Sequence, residues 1–592
     1  MSNIASIPGS PASNGAYRVA GWEHLGRVLV LGLGKSGKSV ARYCAGLIGS
    51  RVDSLFIAAG AENDDSRAFV ESLAGEGVSY AFGDDALEGE RGHFDVCIAS
   101  PGIPYWHELY QRGLQVSDEL MSEVEFSWRE SDPASTWVAI TGTNGKTTTT
   151  SLAAHVLKEC GFAAAPVGNI GDVCLDAVAA GKTDVYVCEV SSYQLASTID
   201  FAPDVAVLLN ITPDHIHWHK TLEAYRDAKF RLLDNVARRG LAPAGLSEAA
   251  TSEGGAVSED CLSERSERVP QDRAPGKRAS GSFSARSGAL QCAPVTIPEL
   301  SLRPNEEREP QSAPQAPARG AQPQLTAILD ATNDVVRKKV RELKAMTREE
   351  RGFDYVPMGT ADGIRGDMRA KCGAENATFV DEDERLHVAL RGSEHVLLPV
   401  SDLQIKGDHN TSNALAAASV AVALGADDGA ICRSLASFAP LEHRVEPCGT
   451  VRGIECYNDS KGTNTDATVK ALSSFPGKRV IVLLGGDDKG TDLSDLIAAT
   501  HANAYAAVCY GAGGPRFASS FAAAAGEAPA GFSVIEAANM EAALNEALDI
   551  AEAGDVLLLS PACASFDEFK SFEERGRVFK QLVADHRARR GA

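Results

Sequence analysis

"VAITGTNGKTTTTS", residues 138–151, runs a buried-strand pattern into a glycine–lysine–threonine loop with two residues between its glycines. Backbone N–H groups of Gly142, Thr143, Asn144 and Gly145 can cradle phosphate at a helix start. Lys146 can neutralise its charge, and the Thr147 hydroxyl can face Mg²⁺, with Thr148 beside it. An earlier stretch competes for the same role. "LVLGLGKSGKSVAR", residues 29–42, carries G-x-G-x-x-G at Gly32, Gly34 and Gly37, and also G-x-x-x-x-G-K-S from Gly32 to Ser39. A carboxylate separates the two loops. Glu189 closes the apolar run "DVYVCE", where an acid is costly unless it binds something. The strand after the first loop, "FDVCIASPG", ends instead in Ser100, Pro101 and Gly102, and "DSLFIAAGAEN" offers no acid at its tip for an NAD ribose. The second loop is therefore expected to hold ATP with Mg²⁺ at Thr147 and Glu189. The first is expected to hold a diphosphate that needs no catalytic metal.

These two loops belong to a repeating pattern. "RVLVLGLG", "TWVAITGTNG", "VAVLLNIT", "RVIVLLGGD", "AYAAVCYGA" and "DVLLLSPA" are short apolar runs, each followed by a loop and a helical pattern. Strands buried on both faces and alternating with helices predict an α/β fold of doubly wound, mostly parallel sheets. Ligands then gather at the C-terminal strand ends. At 592 residues the chain is too long for one core. Composition breaks at "ESDPAST" (130–136) and "ASFAPLEHRVEP" (436–447) suggest domains at 1–131, 132–440 and 441–592. Within the second, residues 240–324 are rich in Ala, Ser, Pro, Glu and Arg, with Phe283 their one aromatic, which predicts a low-complexity, disordered insertion.

The net charge of −23 argues against nucleic acid or an anionic membrane as the main partner. "MSNIASIPGSPASNGAYR" lacks the basic start and apolar stretch of a signal peptide, and "NALAAASVAVALGA" is too short to span a bilayer. The thirteen cysteines include no C-x-x-C, and Cys44, Cys97, Cys188 and Cys509 sit in apolar runs, as reduced buried thiols would. A cytoplasmic chain is expected.

A third constellation, "NITPDHIHWH" at 210–219, crowds Asp214, His215, His217 and His219 at a strand end, with Lys229 on the helix pattern beyond. Without Cys pairs or H-E-x-x-H it does not have zinc spacing. Beside an Mg-nucleotide loop, one of these histidines can serve as a ligand.

Together with "TGTNGKTTT", "VGNIG", "EVSSYQL", "KGDHNTSNALAA", "HRVE", "NDSKGTN", "LLGGDDKG" and "SPACASFDEFKSFEERG", in this order, the chain resembles the Mur ligases over nearly its whole length except the insertion. The last three motifs resemble the branch that adds D-glutamate. The related ligases for other amino acids carry a D-Y-A-H-N-P-type motif where "NDSKGTN" stands. The resemblance implies three domains: a Rossmann-like N-terminal domain for a UDP substrate, a central P-loop ATPase-like domain, and a Rossmann-like C-terminal domain for the amino acid. It implies an ATP-dependent ligase of peptidoglycan precursor synthesis, a monomer joining D-glutamate to UDP-N-acetylmuramoyl-L-alanine through an acyl phosphate, with two Mg²⁺.

By motif match, the resemblance places Lys146 on the β- and γ-phosphates, Thr147 and Glu189 at one Mg²⁺, and His215 with a carbamate on Lys229 at the second. Asn410, Asn413, His443, Arg444 and Asp459 resemble ATP contacts. Lys461 and Thr463 would approach the reacting phosphate and D-glutamate, while Lys489, Ser565 and Phe572 match the D-glutamate pocket. Ser36, Gly102 and Asn169 match contacts to the UDP-muramoyl substrate. "AAGAEN" replaces the polar set that binds uracil, so no uracil contact is carried over. The rivals are a Rossmann oxidoreductase, which lacks its acidic ribose partner, a non-catalytic nucleotide-binding regulator, and a sister Mur-type or folylpolyglutamate-type ligase with another acceptor.

Overall fold

The computed structural model describes residues 23–88, 92–242, 324–366, 369, 374–488 and 490–588. Nearly all of the expected insertion, 243–323, lies outside them. Its expected start at 240 falls too early: the helix Leu222–Leu241 continues through Gly240, which packs backbone to backbone on Gly352.

Three sheets carry the described chain. In the first, β1 (Gly26–Leu31), β2 (Val52–Ala59), β3 (Val78–Phe82), β4 (Phe94–Ala99) and β5 (Ser117–Ser122) run parallel in the order β3-β2-β1-β4-β5. The chain leaves β1 toward one edge and returns to β4 on the other side, so the loops after β1 and β4 diverge and open a crevice.

The second sheet holds β6 (Thr136–Thr141), β7 (Ala164–Gly168), β8 (Val185–Glu189), β9 (Val205–Leu208), β10 (Thr326–Asp330) and β11 (Asp354–Met358). β12 (Ala377–Val380), β13 (Arg385–Leu390) and β14 (Ser393–Pro399) complete it. The order is β14-β13-β12-β11-β10-β9-β6-β8-β7, parallel except for the antiparallel β12–β13–β14 end. Its residues alternate between two cores. Val138, Ile140, Val187 and Val207 enter one face, and Trp137, Ala139, Cys188 and Ala206 the other. Burial on both faces explains why these strands read as continuous apolar runs. The switch in strand order falls between β6 and β9, where the loops 142–145 and 209–215 part.

The third sheet, β15 (Glu446–Val451), β16 (Ile454–Asn458), β17 (Val480–Gly485), β18 (Ala506–Tyr510), β19 (Ser533–Ala537) and β20 (Val556–Ala562), has the order β15-β16-β20-β17-β18-β19. Only the β15–β16 pair is antiparallel. Among the described residues no helix is long and apolar enough to cross a membrane. Cys44, Cys97, Cys188 and Cys509 are free and fully buried, as their apolar runs predict.

Candidate active site

Two glycine–lysine loops of similar sequence fold differently. After β6 the chain turns through Gly145 at φ +86°, and the helix Lys146–Glu159 begins at the lysine itself. A Cβ on Gly145 would lie 2.7 Å from Asn413 Oδ1, so close approach as well as φ requires glycine here. Lys146 Nζ folds back over the loop, donating to the carbonyls of Gly142 at 3.0 Å and Thr143 at 2.8 Å. After β1 the helix Lys35–Ala45 starts three residues before Lys38, placing that lysine past the first turn, where it donates to Asp65 at 2.5 Å. Gly37 is fixed by packing, since its Cβ would lie 1.9 Å from the Gly32 carbonyl oxygen. Gly34 has an ordinary φ of −67° and nothing within 4 Å of a Cβ. Neither packing nor backbone strain requires glycine at this helix N-cap position, which leaves room for close approach by a ligand. The complete P-loop pattern at Gly32–Ser39 is thus a dinucleotide-type turn.

Glu189, at the end of β8, is 1% exposed. Its Oε1 accepts from Asn169 Nδ2 at 2.9 Å, whereas Oε2 is buried without a hydrogen-bond partner. An orphaned carboxylate oxygen in the cavity that Thr147 also lines suits a hard divalent cation, which takes oxygen ligands.

Lys229 projects from the helix Leu222–Leu241 and is 1% exposed. Its Nζ donates to the same Gly142 carbonyl at 2.7 Å and to Thr141 Oγ1 at 3.3 Å. Lys229 is therefore not an exposed lysine on the outer face of its helix. Desolvation first, and then the neighbouring Lys146 ammonium, hold its amine well below the usual lysine range. Burying an ammonium costs several kcal/mol, which two neutral acceptors do not repay in full.

The histidines divide. His215, at φ +54°, stays partly exposed beside Asp214 and faces the cavity. His219 turns inward to Ser192 Oγ at 2.9 Å, and burial, with Lys229 next, pushes it down to about 4. His217 is exposed.

The third sheet closes the site with the loop after β16. Asp459 accepts from Ser560 Oγ at 2.7 Å and from the Val445 N–H at 3.2 Å, and burial raises its carboxyl to about 7. Lys461 lies 4.5 Å over the Phe572 ring. Its amine is lowered by burial and then by Arg444. The Asn144 amide reaches across from the P-loop to Asp466, which also accepts from Lys470 at 2.9 Å. Between these walls lies a cavity of about 660 Å³, large enough for a nucleotide. It is lined by Lys146, Thr147, Glu189, His215, Arg444 and Lys461 among others.

A family profile for the Mur ligase middle domain matches residues 140–251, and one for the Mur ligase glutamate ligase domain matches residues 443–563. The UDP-N-acetylmuramoylalanine–D-glutamate ligase of Koribacter versatilis (strain Ellin345) is 31% identical, over 94% of this chain and 97% of its own. The chain belongs to the Mur ligase family. The ligase of the same name from Cupriavidus pinatubonensis (strain JMP 134 / LMG 1197) is 31% identical over 95% of this chain and 98% of its own. That of Thermoanaerobacter sp. (strain X514) is 28% identical over 95% and 98%. A solved pseudomurein peptide ligase type C from Methanothermus fervidus covers 94% of this Mur ligase and 99% of itself, with a TM-score of 0.47 and 16% identity.

Most of the residues expected at the nucleotide and metal sites line this cavity: Thr143, Asn144, Gly145, Lys146, Thr147, Thr148, Glu189 and His215, with Asn410, Asn413, Arg444, Asp459 and Lys461; Asn169, expected at the UDP-muramoyl substrate, and Thr463, expected near the reacting phosphate and D-glutamate, line it too. His443 does not. Its ring is packed under Gly576 and bonded to Asn458 at 2.8 Å, and it is not among the residues that line the cavity. Lys229 sits behind the P-loop, reaching it through Gly142. Ser36 and Gly102 flank the crevice of the first sheet, away from the nucleotide cavity. Ser565 and Phe572 border the loop of Asp459 from the β20 side, where Phe572 accepts from Ser460 Oγ at 2.8 Å. Lys489 lies outside the described residues. Three supporting residues escaped the sequence reading. Asn210 brackets the Asn144 backbone through both ends of its amide, at 2.8 and 3.1 Å. Fully buried Arg575 ties Ser460 to Cys563 and Ala564. Asp466 receives Asn144. Asn210 and Arg575 lie inside quoted motifs, so their signal was present; nothing in the sequence marks Asp466.

Proposed function

We propose that this chain joins D-glutamate to the carboxylate of UDP-N-acetylmuramoyl-L-alanine at the cost of ATP, in the synthesis of a peptidoglycan precursor in the cytoplasm. The chain is an ATP-dependent, amide-forming ligase, and its near full-length likeness to ligases of that name supports the choice of substrates. The observation that carries the reading is the orphaned Glu189 carboxylate beside a true P-loop, facing Arg444 and Lys461 from the third sheet.

In this reading each sheet is the centre of one domain, with joints near 131 and 440. The Gly142–Gly145 amides and Lys146 orient the ATP phosphates in the cavity. The acceptor carboxylate attacks the γ-phosphorus, ADP leaves, and an acyl phosphate remains. The amine of D-glutamate then attacks the acyl carbon, loses a proton, and inorganic phosphate departs as the amide forms. Charge builds on transferring phosphoryl oxygens, and Lys146, Arg444 and Lys461 converge there, desolvated so that their fields are strong. Mg²⁺, when bound, would neutralise phosphate charge, held by Thr147 and Glu189 and, for a second ion, by His215 and Lys229. Ser36, Gly102 and Asn169 would grip the UDP-muramoyl moiety, with the diphosphate over Gly34. Lys489, Ser565 and Phe572 would hold D-glutamate.

Lys229 serves this scheme as a carbamate. Its neutral amine adds CO₂ and releases a proton, which replaces a misplaced ammonium with an anionic oxygen ligand. The buried position and the lowered amine support this, since the neutral form is the one that adds CO₂. Lys229→Ala should lose most activity and regain part of it with formate or acetate. A variant with full activity, or a carbon-13 spectrum of the ¹³CO₂-equilibrated enzyme without a carbamate resonance, would refute it.

A further inference from the structure

Trp106 and Lys220 have no part in the chemistry above, yet they meet at the turn that carries His215. The helix Ile216–His219 is a single turn bounded by two non-glycine residues of positive φ, His215 at +54° and Lys220 at +69°. Such backbone persists only where its surroundings over-determine it. One anchor lies on the Glu189 side, where the His219 ring meets Ser192 at 2.9 Å. The other comes from the first sheet. The loop that continues from Gly102 places the Trp106 indole N–H on the Trp218 carbonyl at 2.9 Å and the Tyr105 hydroxyl on the His219 carbonyl at 3.4 Å. Those carbonyls end a helix too short to satisfy them itself. Lys220 Nζ then sits 3.5 Å over the Trp106 ring, and Tyr105 packs edge-on against Trp218 at 5.6 Å. Tyr193 completes the link, with its ring 4.6 Å from Trp218 and 4.9 Å from His215.

We propose that Trp106 is a positioning residue, clasped by Lys220, that couples occupancy of the Gly34–Gly102 crevice to the orientation of His215. The inference rests on the reading of that crevice as the UDP-substrate site and of His215 as a ligand-bearing residue. Trp106 is 44% exposed. At such a site an indole hydrogen bond or a cation–π contact shifts an equilibrium by only about two- to fivefold. That is too little to hold the fold together and enough to bias a strained turn when a substrate orders the loop that bears it. Lys220 offers a clean separation of roles. Replacing it by glycine relieves its positive φ, so a purely structural role predicts an equal or higher melting temperature and unchanged turnover.

The test uses the full chain with UDP-N-acetylmuramoyl-L-alanine, first without ATP or Mg²⁺. Amides of His219 and Lys220, which bond to the His215 and Ile216 carbonyls at 3.1 and 2.7 Å, should exchange hydrogen several-fold more slowly with substrate bound. Trp106→Phe should abolish that added protection while calorimetry shows substrate still binding. In turnover, Trp106→Phe and Lys220→Gly should each lower kcat about two- to fivefold with KM for the UDP substrate unchanged, and Lys220→Gly should do so without a lower melting temperature. Wild-type kcat in both variants, or unchanged protection in Trp106→Phe, overturns the coupling. A wild-type chain that binds the UDP substrate with no added protection also overturns it. Failure of the wild type to bind that substrate overturns the reading of the crevice instead.

Discussion

Lys146 and Lys38 follow glycine in nearly the same motif, and the helix start decides between them. Lys146 is the first residue of its helix, half-buried against the carbonyls of its own loop; Lys38 lies beyond the first turn and is paired with Asp65. Lys146→Ala should lower kcat on the order of 10²–10³-fold, the usual effect of removing one preorganised charge from a transition state. Lys38→Ala should leave ATP affinity within about twofold, because an exposed ion pair of this kind is worth at most about 1 kcal/mol to the local structure. Nucleotide titration and steady-state kinetics on both variants check this, and loss of ATP affinity in the Lys38 variant alone would reverse the assignment. The glycines of the first loop separate in the same way. Gly37→Ala forces a Cβ into the Gly32 carbonyl and should destabilise the chain by about 1–3 kcal/mol. Gly34→Ala should leave the melting temperature unchanged and raise KM for the UDP substrate. At this scale the sequence was informative where chemistry demanded an unusual residue, such as an acid ending an apolar strand at Glu189. It was uninformative where a residue acts through its packing, and the buried His443 ring is the example.

Among the elements, the helix Glu123–Glu130 shows how the first and second sheets share a core. Phe126 enters the core of the first, while Val124 and Trp128 enter that of the second. Glu123 begins it, 2% exposed, accepting from the Leu175 N–H and Ser127 Oγ, both at 2.9 Å. Burial raises its carboxyl from 4.5 to about 7 against the pull of those donors. The folded chain therefore keeps a proton that the unfolded chain has lost between those two values. Glu123 thus favours the folded state fully below about pH 4.5, and that stability is lost as pH rises through about 7. Glu123→Gln keeps the acceptor oxygen and stays neutral. Its melting temperature should match the wild type near pH 4.5 and exceed it by pH 8; a constant difference across that range would refute the assignment. The strands with unbroken apolar runs were legible because both faces are buried. The β13–β14 pair was not, since it carries polar side chains that are not fully buried, such as Arg385, His387 and Glu394.

Across the whole molecule, what escaped the sequence are the contacts that join distant segments. Asn144 meets Asp466 across 322 residues and Trp106 meets Trp218 across 112, and neither pair leaves a periodic signal. The doubly wound pattern did foretell where such contacts gather, because loops at C-terminal strand ends must face one another when parallel sheets abut. The central claim, a ligase that selects D-glutamate, depends on all three sheets acting on one reaction. It is tested most directly by phosphate release from ATP with UDP-N-acetylmuramoyl-L-alanine and one amino acid at a time. The account predicts release and a new amide with D-glutamate, and background rates with L-glutamate, L-lysine, diaminopimelate or D-alanyl-D-alanine. Turnover with one of those instead, or none with D-glutamate, would contradict it.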